Sequence, residues 1–181
     1  MYDIFLKTYR MYGTALWAFA IVAGVSTFAI MIVITANAIL RKGINWPLPA
    51  ALEVTQALLV VAIVLPFAFT QFLREHVSTV FFTSRLSKNA QRWLHSFWCV
   101  VAFVLFVAVT YGTFQYALRS YAMNEQIWGA TIQFPVWPAK MAISLGTLLA
   151  AVQFLLDAIG HALIPNFREQ AAETAGLNAH V

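Results

Sequence analysis

Charge is scarce in this sequence and cysteine almost absent. Charged side chains make up 10% of the 181 residues and hydrophobic ones 61%, whereas a soluble domain carries roughly 25% charged residues. In water, a chain of this size would have too little polar surface to cover its apolar side chains. The single cysteine, Cys99, excludes an intrachain disulfide and leaves the redox compartment unread. It lies in an apolar run and reads as inert packing. A phosphate-cradling glycine loop, a paired metal-ligand cluster and an elbow serine are also missing, so no soluble-enzyme motif is present. The formal net charge of +4 comes from basic residues scattered between apolar blocks. That scatter fits the flanks of membrane helices and not the basic stripe of a nucleic-acid binder.

The sequence does contain four long apolar blocks, at about 14–40, 48–73, 93–118 and 136–164. Each reaches the roughly 20 residues needed to cross the hydrocarbon core as a helix. The first and third hold no charge, the second has Glu53 near its start, and the fourth has Lys140 and Asp157 toward opposite ends. Charge is thus kept to the ends, as the cost of burying it in lipid requires. The first block has a basic flank (Lys7, Arg10) and a cleavage-like Ala36-Asn37-Ala38, but it is far longer than the roughly 7–15 residues of a signal core. It reads as a retained helix.

The expected architecture is an all-α integral membrane protein with one four-helix transmembrane domain over 1–165 and a flexible cytoplasmic tail over 166–181. Between the second and third helices, 74–93 mixes Val77, Val80, Phe81, Phe82 and Leu86 with Arg85, Lys88 and Arg92. A short amphipathic segment lying in the headgroup plane suits that pattern. A loop packed on the helix ends is the alternative. Lys7, Arg10, Arg74, Arg85, Lys88, Arg92 and Arg168 would share one side, and Arg41, Lys42, Arg119 and Lys140 the other. The larger basic group belongs in the cytoplasm, which places both termini there.

The candidate functional residues are polar groups on or beside these helices. Asn37 and Arg41 share a face at the end of the first helix, and Glu53 and Gln56 a face at the start of the second. The short connection contains Pro47 and Pro49, which can begin a helix but not continue one. Arg41 and Glu53 therefore emerge at similar depth. They either pair or snorkel separately to water. Tyr111, Gln115 and Arg119 form one polar stripe, and Gln153, Asp157 and His161 another; each stripe can bond between helices or wet a bundle end. Pro66 should interrupt the second helix, and Ala20-x-x-x-Gly24 is a small-residue contact motif. Trp46, Trp128 and Trp137 would form an outer aromatic belt, with Trp93 and Trp98 inside.

Asn37-x-x-x-Arg41, Trp46-Pro47-Leu48-Pro49, Glu53, Arg74-x-His76-Val77 and Ile132-Gln133-Phe134-Pro135-Val136-Trp137-Pro138 together resemble the DctQ-like small membrane subunit of tripartite ATP-independent periplasmic (TRAP) transporters. The resemblance covers about residues 10–165. It implies a non-catalytic small permease subunit in a bacterial inner membrane, without a cofactor of its own. Its partners would be membrane lipids, a large DctM-like membrane subunit that carries the substrate path and the coupling sodium ions, and a periplasmic binding protein that delivers an organic acid anion. Asn37, Arg41, Glu53, Gln56, Arg74, Glu75 and His76 become candidates for holding the bundle or its partner. Asn45, Trp46, Trp128, Gln133 and Trp137 become candidates for contact with the binding protein. Two rivals remain open: a membrane cytochrome using His95 and His161 as haem ligands, and a stand-alone small multidrug exporter. The exporter would need a deep carboxylate, and Glu53 is near a helix end.

Overall fold

The computed structural model describes residues 2–73, 88–126, 134–164 and 167. Four of its helical stretches are long and apolar enough to cross a membrane: Phe5–Gly43, Ala51–Leu73, Asn89–Ala122 and Trp137–Leu163. The backbone elements are α1 (Tyr2–Ile44), α2 (Ala51–Val64), α3 (Pro66–Leu73), α4 (Lys88–Ala122) and α5 (Trp137–Leu163). The all-α membrane class is therefore the class observed. The isolated bridge between Gln126 and Pro135 is the one β-type pairing among the described residues.

The helices outrun the apolar blocks. With 43 residues, α1 is about 65 Å long against a hydrocarbon core of about 30 Å. It begins at Tyr2 rather than 14. No proline interrupts the chain before Pro47, and the polar first turns still present an apolar seam. Tyr9, Gly13, Leu16, Ala23 and Ser26 are buried at three-, four- and seven-residue spacing. Likewise α4 runs from 88 to 122 instead of 93 to 118. Hydropathy marks where lipid begins, and a hydrogen-bonded helix need not stop there. At the start of α2 the reverse holds: the expected 48 gives way to Ala51, because Pro47 and Pro49 keep the chain extended and Ala50 turns it at φ 58°. The interfacial segment expected over 74–93 falls outside the described residues up to 87, and 88–93 form the first turns of α4. Apart from Phe167, the tail over 166–181 also lies outside them.

Pro66 separates α2 from α3 within the second span. Lacking an N–H, it cannot close the bond to the carbonyl four residues earlier. Leu65 keeps helical dihedrals, φ −66° and ψ −40°, so the span continues past the break.

Neighbouring helices follow the order α1, α2–α3, α5, α4. In its most apolar stretch α5 is 39% buried and α4 0%; α5 is central and α4 marginal. Where helices meet, glycine sets the distance. A Cβ at Gly146 would stand 2.3 Å from Val64 Cγ1 and 2.7 Å from the Val64 carbonyl oxygen, and a Cβ at Gly13 would strike the Phe72 ring. Gly24 has open space instead, so it is not a contact point between helices among the described residues. The hydroxyls of Ser26, Thr27, Thr55, Thr70, Thr110, Thr113, Ser144 and Thr147 return to carbonyls one turn back, which satisfies them where water is absent.

Gly146→Ala is expected to cost about 1–3 kcal/mol through overpacking against backbone. Gly24→Ala should be neutral or stabilising by up to about 1 kcal/mol. Unfolding by denaturing detergent measures both, and equal effects would contradict the close α2–α5 approach.

Candidate functional site

A buried polar cluster ties α1, α3 and α5 together. Asp157 is 2% exposed and Gln153 and Tyr9 are 0% exposed, values that exclude water as their principal partner. Tyr9 Oη donates to Asp157 Oδ1 at 3.1 Å, and Gln153 Nε2 donates to that same Oδ1 at 3.1 Å and to Tyr9 Oη at 3.2 Å. Gln71 Nε2, on α3, reaches Asp157 Oδ2 at 3.3 Å. One turn up α1, Tyr12 Oη donates to the Leu149 carbonyl at 2.6 Å. Aromatic side chains enclose the group: the Tyr9 ring lies 5.1 Å from Phe72 and 5.4 Å from Phe167. A carboxyl group in such surroundings is held by its hydrogen bonds, since leaving it unmatched costs several kcal/mol.

The sequence pointed to two members of this cluster, Gln153 and Asp157. The stripe of Gln153, Asp157 and His161 serves contact between helices, not the wetting of a bundle end. The residues missed were Tyr9, Tyr12 and Gln71. Tyr9 and Tyr12 precede the first apolar block, and Gln71 is a lone amide near the end of the second. Only the seam of Phe5, Tyr9, Tyr12 and Leu16 could have signalled that α1 extends inward. The other stripe is not used in the same way. Tyr111, Gln115 and Arg119 are all exposed, and their side chains make no hydrogen bond among the described residues.

At the end of α1, Asn37 acts on its own connection: its Oδ1 accepts the Leu48 N–H at 2.9 Å, pinning the α1–α2 turn. Asn45 adopts φ 53°, a left-handed conformation that asparagine tolerates, and Trp46 stands 68% exposed beside it. The proposed pairing of Arg41 with Glu53 is not formed, because the lone salt bridge among the described residues joins Lys140 and Glu125. Arg41 lines a groove with Asn37, Lys42 and Asn45 on α1, whereas Glu53 is buried on α2 at 8% exposure. Gln56 is exposed. Arg74, Glu75, His76, Trp128 and Gln133 lie outside the described residues.

The base of the α4–α5 connection is closely tied. Asn124, at φ 51°, ends α4 in a Schellman arrangement, with Asn124 N–H to Tyr121 O at 3.1 Å and Glu125 N–H to Ser120 O at 3.0 Å. Val136 N–H returns to Glu125 O at 3.2 Å. The Glu125 carboxylate accepts from Lys140 Nζ, which also sits 3.8 Å over the Tyr116 ring. Trp137 packs edge-on against Tyr121 at 5.4 Å. The Lys140 hydrogen bond holds the Glu125 carboxyl below its ordinary value.

His95 and His161 do face each other, ring centroids 5.7 Å apart. Around them, however, α4 and α5 touch directly, with Ser96 Oγ donating to the Ala158 carbonyl at 3.1 Å, and His161 Nδ1 is engaged by its own helix, donating to the Asp157 carbonyl at 2.9 Å. A haem macrocycle would need a slot that this contact fills, so the cytochrome alternative does not fit.

The fold and its polar groups define a multi-pass α-helical membrane component whose described ionisable side chains sit in helix contacts or near helix ends. Over residues 30–163 the chain matches the model of the family described as "Tripartite ATP-independent periplasmic transporters, DctQ component". The chain belongs to that family, the small membrane subunit of TRAP transporters, and is a multi-pass inner-membrane protein. Comparison with curated proteins gives no match.

Two outcomes are expected. Tyr9→Phe and Asp157→Asn should each destabilise the chain, and their double-mutant cycle should give a coupling of about 0.6–1.7 kcal/mol, the range for hydrogen bonds inside membranes; additive effects would refute the lock. At the outer base, ionised Glu125 contributes above its ordinary carboxylate value, and that contribution is lost as pH falls through the lowered one. Amide protection at Val136 should therefore drop in acid, and Glu125→Gln should abolish this pH dependence.

Proposed function

We propose that the chain is the non-catalytic small permease subunit of a sodium-coupled importer of organic acid anions. It binds the large membrane subunit and enlarges that subunit's stationary scaffold. The periplasmic binding protein docks in part on its outer loops. Coupling sodium and substrate belong to the partner, and this chain needs no cofactor.

The observation that carries this proposal is the unequal use of polar and apolar surface. The most deeply buried carboxyl group among the described residues, which would otherwise be the first choice for a solute path, is engaged in helix contacts: Asp157 with Tyr9, Gln71 and Gln153. The apolar flanks, by contrast, are uncovered. Ile21, Val25, Phe28 and Ile32 on α1, and Val100, Val104 and Leu105 on α4, are exposed. A domain that slides during transport needs a wide fixed body to slide against. A bundle locked inside and apolar outside supplies that body by packing and by lipid displacement.

Docking of the binding protein draws support from the tied base of the α4–α5 connection and from exposed Trp46 beside the asparagine-pinned α1–α2 turn. Both are rigid supports at the end of the bundle assigned to the periplasm, and rigid supports lower the ordering cost of association.

Proteoliposomes supply the test. The small subunit alone should move no solute. The pair of membrane subunits, with the binding protein and a sodium gradient, should import an organic acid anion, and omission of the small subunit should abolish uptake. Solute movement by this chain alone would overturn the proposal in favour of a stand-alone exporter.

A further inference from the structure

A groove of about 290 Å³ runs between α1 and α3 at the end of the bundle that holds the first turns of α1 and the last turn of α3. Its apolar wall is formed by Phe69, Phe72 and Leu73, and its opposite edge by Arg10, Thr14 and Trp17. Gly13 makes room for it: with no side chain there, the Phe72 ring lies flat against the α1 backbone. The result is an apolar trough with one guanidinium at its mouth.

Among the side chains described, the charged groups at the mouth are basic. Arg10 and Lys7, three residues apart and so on one face of α1, are both exposed. Neither makes an ion pair or a side-chain hydrogen bond among the described residues. The nearest buried carboxyl group, Asp157, is turned into the interior and held by Tyr9, Gln71 and Gln153. Trp17 is 57% exposed and stands seven residues, or two turns, deeper than Arg10. That is the depth order of a phospholipid: charged headgroup, interfacial aromatic, hydrocarbon. Basic pockets between transmembrane helices on the cytoplasmic side favour anionic headgroups.

We infer that this groove is a binding site for an anionic phospholipid, with Arg10 and Lys7 on the phosphate and an acyl chain laid along Phe69, Phe72 and Leu73. A zwitterionic lipid would enter the same trough but would gain less at the mouth. A partner helix would cover the apolar wall and leave the two cations without counter-charge.

The test uses the full chain in detergent, delipidated and then given equal amounts of phosphatidylglycerol and phosphatidylcholine, with bound lipid counted by native mass spectrometry. Wild type should retain phosphatidylglycerol preferentially. Arg10→Gln should lower that preference about fivefold, and Lys7→Gln with Arg10→Gln about thirtyfold, in line with the usual gain per basic residue near an anionic surface. Arg119→Gln, at the other end of the bundle, should leave it unchanged. In nanodiscs, dibrominated phosphatidylglycerol should quench Trp17, read as the difference between wild type and Trp17→Phe, and Arg10→Gln should weaken the quenching. An unchanged preference in Arg10→Gln, or an equal loss in Arg119→Gln, would overturn the site. Loss of the large subunit from Arg10→Gln with lipid preference intact would also overturn it, and would assign the groove to protein.

Discussion

The structure hangs on one buried carboxyl group. Asp157 lies in a region of low dielectric, where an unmatched polar group is far more costly than in water. It therefore fixes whatever brings it hydrogen bonds: Tyr9 from α1, Gln71 from α3 and Gln153 from its own helix. The backbone of α1 packs mainly on α2 and α3, so Tyr9 and Tyr12 are what reach across to α5. This contact sets how far α1 leans inward and hence which of its faces are left outside. The trough beside Gly13 and the exposed row through Val25 and Phe28 both follow from that setting.

Polar groups are distributed by the same rule. Most serine and threonine hydroxyls within the spans bend back to a carbonyl one turn away on their own helix. Asp157, Gln71 and Gln153 are instead satisfied where three helices meet. The stripe of Tyr111, Gln115 and Arg119 is turned outward. An interior tied in this way holds the helices in a fixed arrangement. At the outer end the same economy of movement is reached with turns: Asn37 pins one, and Asn124 with the Glu125–Lys140 pair pins the other.

Where the sequence was read by length and hydropathy, it was read well. Four spans, the break at Pro66 and the helix-breaking role of Pro47 and Pro49 are local consequences of chain chemistry, and the structure has them at or near the expected positions. Helix ends were less legible. Hydropathy follows the lipid, so the inward extension of α1 and the longer α4 were invisible to it. Arg41 and Glu53 show a different limit. Similar depth was the argument for a pair, but the direction in which each side chain leaves its helix depends on the rotation of α1 against α2, which no spacing within either helix encodes. Asn37 shows it from the other side: the residue was singled out, while its partner, a backbone amide eleven positions on, was not.

The sequence alone determined that this chain crosses a membrane four times as helices, because hydrophobic length and backbone hydrogen bonding leave a chain in lipid no other choice. The order and spacing of a few residues also sufficed to identify the family. Tertiary structure decided which polar groups face one another, which glycines are contact points, and which apolar faces are left open. Those outcomes depend on how helices are rotated and offset against their neighbours. Contacts between residues more than a hundred positions apart fix that arrangement, and no local pattern carries it.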